Sequence, residues 1–498
     1  FTSVKNIRQI RLFMQNKPKY NIGSIGKNGN HEESLRLTTA FLQVSLYESV
    51  LEQYRILIFA LPIRRKGNST MEKMNRRKFI KTTAISTMAM TGILRGSPQK
   101  NTGKLKVGLI GCGWYGMVDV RAALKVGGVE VIALCDVDTK HLEESADQVE
   151  KMQSSRPQTF KHYEELLNTP GLEAVIIATP PQWHALMFIA ALEKGLDIYC
   201  EKPLAYDIHE SMAMVAAAKK HNRIVQIGFQ RRQSKAIRQA REYIQQGNIG
   251  RIVQAEAQIH YTAPMRDTTI QEPPETLDWD LWCGPAPKLP YCPQIGHFAW
   301  RLEKEYGHGH LVDWGIHLID ATRWILKETM PKSVQAAGGI YYLKDKITTP
   351  DTLTVHFDFE TCPVIWRHRL WGSQEYDPEV SNGIFFYGEN GTVFVTDRKW
   401  IIIPKDRNKK RTVNEVASDM GTEHMADFLK AVQNRKQPLC TIEEGYNSTT
   451  TVKLAMIAYD METKIFWDRK SQKIVGNSKA AKLLQRKYRS PWKHPYRG

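Results

Sequence analysis

The sequence predicts an α/β chain: a doubly wound, mostly parallel sheet with helices on both faces, followed by an α+β region built on a large, mostly antiparallel sheet. Three features predict it. Between 105 and 228, short apolar runs alternate with amphipathic helical stretches, the pattern that builds parallel sheets. A glycine-rich turn stands between the first apolar run and the first helical stretch. After Arg232 the alternation stops, and segments rich in β-branched and aromatic residues take over.

At 498 residues the chain exceeds what one hydrophobic core usually organises, so two or more domains are expected. The formal charge of +18 does not indicate a nucleic-acid binder. Residues 1–100 carry 18 basic against 5 acidic side chains, and 469–498 carry ten basic and none acidic. The remainder holds 42 basic against 47 acidic residues, whereas a phosphate-binding groove would need its cations on the folded domain. The seven cysteines include no C-x-x-C pair and read as buried thiols.

Five segments are expected. Residues 1–70 read as an upstream extension that is not native to the protein, with Met71 or Met74 as the true start. Residues 71–103 hold Arg76-Arg77-Lys78-Phe79-Ile80-Lys81 ahead of a small, apolar run, which resembles a twin-arginine export signal and its linker. That predicts a periplasmic protein, tethered to the membrane if the signal stays uncleaved and cytoplasmic if it does not function. The folded parts are 104–231 and 232–467, and the basic tail 468–498 is expected to pack on the domain through Ala480, Leu483, Leu484 and Tyr488.

Strands are predicted over 105–110, 129–135, 174–178, 197–200 and 224–228. Gly111-Cys112-Gly113-Trp114-Tyr115-Gly116 follows the first strand and opens a helix, and the second strand ends at Asp136. This context makes G-x-G-x-x-G a Rossmann dinucleotide-binding turn. Gly111 permits the turn, Gly113 admits a pyrophosphate, and Gly116 lets helix pack on strand, while the helix N-terminus faces phosphate. Asp136 would accept ribose hydroxyls and repel a 2′-phosphate, favouring NAD over NADP. Ligands bind beyond the carboxyl ends of such strands, so Thr179, Pro180, His184, Glu201 and Lys202 are expected around the cofactor.

In the second half, strands are predicted over 252–260, 333–342, 352–359, 364–371, 383–387 and 391–396. Helices near 423–434 and 443–463 are expected to return to the first domain. Trp279, Trp282, Trp300, Trp314, Trp366 and Trp371 lie here, with Arg301 beside Trp300. Any single tryptophan reads as core more readily than as ligand, but together they suggest a carbohydrate or polyol. Asp313 and His317 are spaced i, i+4, which would place them on one helix face with the carboxylate orienting the imidazole. Arg231 and Arg232 could meet a sugar carboxylate or a cofactor phosphate, or pair with acids. No metal is expected: several convergent ligands are needed, and His308 and His310 read as a solvated Gly-His-Gly-His loop.

Taken in order, Gly111-x-Gly113-x-x-Gly116, Asp136, Ala178-Thr179-Pro180 with His184, Glu201-Lys202-Pro203, 228–232 and Asp313-Trp314-Gly315-Ile316-His317 through Asp320 resemble the Gfo/Idh/MocA oxidoreductases over about 104–467. With Trp279-Asp280-Leu281-Trp282-Cys283-Gly284-Pro285 and Tyr488-Arg489-Ser490-Pro491-Trp492, the chain looks like exported, Bacteroidetes-type members. The resemblance implies a homo-oligomer, dimer or tetramer, and catalysis by Lys202, His317 and Asp313. Lys202 would stand near the reacting hydroxyl, His317 would shuttle a proton or bind substrate, and Asp313 would bind a substrate hydroxyl. Arg231, Arg232, Trp300, Arg301 and Trp314 complete the expected substrate set. The expected reaction is NAD-dependent oxidation or reduction of a sugar, sugar acid or polyol with a tightly held cofactor. Two alternatives stand beside it: a glycosidase working by transient oxidation and elimination, and a dinucleotide-binding sensor or scaffold without catalysis.

Overall fold

The computed structural model describes residues 103–373 and 381–497, which belong to a compact unit spanning 100–498. The expected upstream extension and export signal lie outside the described residues. Among the described residues, no helix is long and apolar enough to cross a membrane.

The first domain runs β1 (Leu105–Ile110), α1 (Trp114–Val126), β2 (Val129–Cys135), α2 (Thr139–Gln153), β3 (Gln158–Phe160), α3 (Tyr163–Leu166), β4 (Ala174–Ile177), α4 (His184–Glu193), β5 (Asp197–Cys200), α5 (Ile208–His221) and β6 (Val225–Ile227). All pairings are parallel, in the order β3-β2-β1-β4-β5-β6. β1, β4 and β5 are apolar on both faces because helices cover both, so they read as continuous apolar runs. The order reverses between β2 and β4 on either side of β1, which opens a crevice at the carboxyl ends there. Two helix starts are set by side chains: Asp138 caps α2 by accepting from Lys140 N–H at 3.0 Å, and Asp207 with Glu210 forms a capping box on α5.

A 3-10 turn at Gln230–Gln233 leads into α6 (Lys235–Gln245) and β7 (Ile252–His260), followed by α7 (Trp279–Cys283) and α8 (Ile316–Leu326). Then come β8 (Ser333–Gly339), β9 (Thr352–Asp358), β10 (Pro363–Arg369), β11 (Asn382–Gly388), β12 (Gly391–Val395), β13 (Lys399–Pro404) and β14 (Thr412–Glu415). The chain ends with α9 (Met420–Asn434), α10 (Ile442–Asp460), β15 (Ile465–Asp468), β16 (Lys473–Val475) and α11 (Ser478–Ala481). The sheet order is β14-β13-β12-β11-β7-β10-β9-β8-β15-β16, antiparallel throughout except for β7 beside β10. Alternation shows in β9, where Leu353, Val355 and Phe357 are buried between more exposed neighbours, and helices α8 and α10 pack on the sheet.

The two domains share their interior. Met425, Phe428 and Ala431 of α9 belong to the same apolar cluster as Val107, Leu109 and Val120. α10 supplies Thr449, whose hydroxyl accepts the Leu204 N–H at 3.0 Å, just beyond Lys202. The tail also packs, with Ala480, Leu484 and Tyr488 buried while Leu483 stays exposed.

Arg232 corrects an expectation. It does not face a substrate: its side chain is 1% exposed, and it bonds Asp320 through Nε at 2.8 Å and a terminal nitrogen at 2.7 Å, and Glu444 at 2.7 Å. Burial disfavours its charge, but Asp320 outweighs that, and the Ser448 hydroxyl donates to Asp320 at 2.7 Å. Arg232 thus ties the end of the first domain to α8 and α10. Removing one partner of such a buried pair strands the other, so Arg232→Ala is expected to lose about 3–5 kcal/mol of stability in urea unfolding; an unchanged midpoint would show that the network holds nothing together.

His424 on α9 gives a pH signature. Its Nε2 lies 3.0 Å from Ile227 O, and burial holds its pKa down to about 4. Unfolded histidine titrates near pH ~6.5, so this stability is complete above about 6.5 and is lost as pH falls toward about 4. His424→Gln should therefore flatten the fall of the urea midpoint across that window. An identical pH dependence in variant and wild type would contradict the assignment.

Candidate active site

The carboxyl ends of the parallel strands open into a cavity of about 690 Å3, which reaches across to the second domain. Its floor is the glycine turn. Gly111 adopts φ +98°, a left-handed conformation, and its N–H donates to Cys135 O at 2.8 Å. A Cβ on Gly116 would strike Gly111 O, so helix α1 can start this close to the turn at glycine alone. Gly113 lines the cavity, and a Cβ there would meet nothing within 4 Å, so it would stand in the open cleft.

Asp136 locks the turn in place. Its carboxylate accepts the Cys112 N–H at 2.6 Å and the Asp138 N–H at 2.9 Å while still facing the cavity. Burial pushes its pKa up, against those two hydrogen bonds. Trp114 and Tyr115 also line the cleft, and the Trp114 side of it is open, the residue being 75% exposed. Cys112 does not line it: the thiol is buried and burial pushes its pKa well up, so its backbone N–H is its contribution.

Thr179 and Pro180 face the cavity, but His184 does not. It is fully buried, with Nδ1 2.9 Å from Pro203 O and Nε2 2.8 Å from Thr179 O, so it clamps the loops after β4 and β5 together instead of touching a cofactor. Glu201 is likewise a support. It accepts from Gln230 Nε2 at 2.7 Å and Lys202 N–H at 3.2 Å, and burial, opposed by Lys202, leaves its pKa at about 7.

Lys202 Nζ lies 2.8 Å from Asp313 Oδ1 and 3.0 Å from Asp313 O. Arg301 Nε approaches the same Oδ1 at 3.3 Å. Burial pushes the Asp313 carboxyl up but is outweighed by Lys202 and then Arg301, which hold it well below the usual carboxylate range. Asp313 lines the cavity with Trp300, Arg301 and Trp314, and Lys202 reaches that wall through it.

His317 is brought close but not as the i, i+4 spacing suggests. Leu311–Gly315 forms a π turn before α8, which changes the angular offset between the two residues. Asp313 therefore bonds Lys202 and Arg301, and no hydrogen bond joins it to His317. The His317 ring instead stands edge-on to Phe229 at 6.2 Å and near Trp314 at 6.4 Å, with a buried, unpartnered Nδ1. Burial, then Lys202 and Arg231, depress its pKa far below the usual range, so the imidazole is neutral at neutral pH. Arg231 pairs with Asp397 at 3.0 Å and lies 5.0 Å over the Trp314 ring, supporting the wall from behind.

A family model described as "Oxidoreductase family, NAD-binding Rossmann fold" matches residues 105–229, and one described as "Oxidoreductase family, C-terminal alpha/beta domain" matches 257–494. The chain belongs to the Gfo/Idh/MocA oxidoreductase family. Inositol 2-dehydrogenase of Salmonella typhimurium is 34% identical over 161 residues, 32% of this chain and 46% of that protein. A glycosyl hydrolase family 109 protein of Stenotrophomonas maltophilia is 35% identical over 138 residues, 26% of this chain and 30% of that protein. The matches thus span less than half the length of these curated relatives. The solved structure of levoglucosan dehydrogenase in complex with NADH and levoglucosan shares the fold, with TM-score 0.58 and 20% identity over 73% of this chain and 99% of that one.

The turn of this Gfo/Idh/MocA protein fits NAD: Gly113 leaves the space a pyrophosphate needs, α1 points its N-terminus there, and Asp136 lines the same cavity with a carboxylate that would accept ribose hydroxyls. Several wall residues were not evident from sequence. His310 is buried, not solvated; it stacks on Tyr261 at 5.5 Å, and burial, then His368, holds its pKa down to about 3. His308 is buried against Lys453, with Nδ1 3.2 Å from Nζ. Trp183, His297 and Trp492 line the cavity too. Trp279 stacks on Trp282 at 4.6 Å and Trp366 is core, so of the expected tryptophans Trp282, Trp300 and Trp314 reach the cleft. Two clusters among the described residues bring three metal-capable groups together, Asp138 with His141 and His297, and Asp207 with Glu210 and His494. Asp138 already caps α2 and pairs with His297, and the second cluster anchors the tail.

Gly113→Val is expected to fold, since its side chain enters open space, but to abolish NADH binding in a fluorescence titration. Wild-type NADH binding by this variant would show that the cavity is not the cofactor cleft.

Proposed function

We propose that the protein oxidises a secondary hydroxyl of a sugar, sugar acid or polyol, or reduces the corresponding ketone, using a tightly held NAD. The observation that carries this reading is the Lys202–Asp313 pair at 2.8 Å, in which Lys202 stands where β5 ends and Asp313 lines the cavity that holds the glycine turn. Bound in that cleft, nicotinamide supplies the hydride acceptor for the carbinol carbon.

The protein's own groups handle the hydroxyl proton. A hydroxyl entering between Trp300 and Trp314 meets Asp313 first, and a carboxylate held this strongly ionised accepts its hydrogen bond. That bond competes with Lys202 for Asp313 Oδ1. Lys202, bonded to that same oxygen at 2.8 Å, is the group placed to take the hydroxyl proton in its amine form. His317, kept neutral by burial, Lys202 and Arg231, can relay a proton without carrying a resting charge. Trp300 and Trp314 offer ring faces to a pyranose or cyclitol.

A glycosidase reading is favoured by one observation, the likeness to the glycosyl hydrolase family 109 protein. There the same proton-handling groups would serve oxidation, elimination and re-reduction within one cycle. The reading also takes the Arg76–Arg77 segment as an export signal, which would carry the protein out folded with its cofactor.

A panel of polyols, aldoses and sugar acids followed at the nicotinamide absorbance tests the dehydrogenase, and aryl glycosides test the alternative by aglycone release without net NADH. Lys202→Met is expected to lower kcat on the accepted substrate by about 10²–10⁴-fold while NADH still binds. Wild-type turnover by that variant would sink the proposal.

A further inference from the structure

A basic tail with no other role would extend into solvent, but 485–497 is held on two walls. The Arg486 N–H donates to Asp207 Oδ2 at 3.0 Å, and His494 Nε2 lies 3.0 Å from the same oxygen. Tyr488 donates its hydroxyl to Glu210 Oε1 at 2.7 Å. Asp207 and Glu210 are buried and form the capping box of α5, the helix that follows the Lys202 loop. On the opposite side, the Arg489 guanidinium bonds Asp280 Oδ1 at 2.8 Å, Asp280 O at 2.9 Å and Gly284 O at 3.1 Å, all at α7.

Between these anchors stands Trp492. Its N–H donates to Arg489 O at 3.1 Å, and the Arg489 cation lies 4.8 Å from its ring. The indole meets Trp183 edge-on at 5.5 Å and 86°, and Trp183 meets Tyr163 at 5.9 Å. All three rings line the cavity, near the ends of β2 and β3 that also supply Asp136 and His162. In a parallel sheet of this order, the acid ending the second strand marks the adenosine half of the cleft. Trp492 is half-buried and lines the cavity, so part of it is open to that space. Aromatic side chains hold such bases through faces and edges.

We propose that Trp492, delivered by the folded-back tail, forms a wall of the adenosine subsite and slows the release of NAD. The tail is thereby part of the cofactor site and makes the cofactor tightly held. The inference rests on the NAD cleft and on no particular substrate.

The test uses the full chain loaded with NADH, freed of excess cofactor and diluted into a large excess of NAD, with NADH release followed by its fluorescence and no sugar present. Trp492→Ala should release NADH about tenfold faster or more, as the loss of one stacking ring predicts, while Trp492→Phe stays within about twofold of wild type. A Trp492→Ala protein that folds and releases NADH at the wild-type rate overturns the proposal. If Trp492→Ala does not fold, Trp492→Leu, which keeps apolar bulk without the ring, decides by the same comparison. Release rates are readable whether or not any sugar is oxidised, so failure here and failure of the dehydrogenase reading are separable.

Discussion

One ion pair joins the two domains at the cavity. Lys202 leaves the end of β5 in the first domain, and Asp313 stands on the π turn before α8 in the second. Burial disfavours a charge on Asp313, and Lys202 with Arg301 outweighs that and holds it ionised. The pair therefore ties the carboxyl edge of the parallel sheet to the second domain, and the cavity forms where they meet. Arg301 adds a second cation to the same carboxylate, and Arg231 supports Trp314 from behind.

Several residues serve that pair without touching the cleft. His184 joins the loops after β4 and β5, Glu201 fixes the backbone before Lys202, and Thr449 on α10 holds the backbone just after it. Arg232, Asp320 and Glu444 do the same at larger scale, pinning three elements with one buried charge cluster. Because α9 and α10 complete the interior of the first domain, the two halves cannot easily slide past one another. A site assembled from both halves keeps its geometry for that reason.

The parallel sheet was legible because its central strands are buried on both faces, and two of the connecting helices, α2 and α5, are capped by local side chains. β3 was not: it is three residues long and contributes little apolar surface. β13 and β14 lie at one edge of the large sheet, where burial hardly alternates, and β15 and β16 at the other edge are only four and three residues long. Within the site, Gly111, Gly113, Gly116 and Asp136 were readable since the turn needs them for local reasons. His184, Glu201 and Arg232 were recognisable as important positions, but a motif does not say which way a side chain faces, and all three turn inward. The π turn that aims Asp313 at Lys202 has no local signature. His310 and Trp492 depend on contacts with segments remote in sequence, which no periodicity reveals.

The central claim is that a substrate hydroxyl is received between Asp313 and Lys202 beside the dinucleotide. A crystal structure of the protein with NAD and a bound polyol tests it most directly. The account predicts a hydroxyl oxygen within about 3 Å of both Lys202 Nζ and an Asp313 carboxylate oxygen, with its carbon facing the nicotinamide ring. A polyol bound elsewhere in the cavity, with the Lys202–Asp313 pair intact and remote from the nicotinamide, would contradict it.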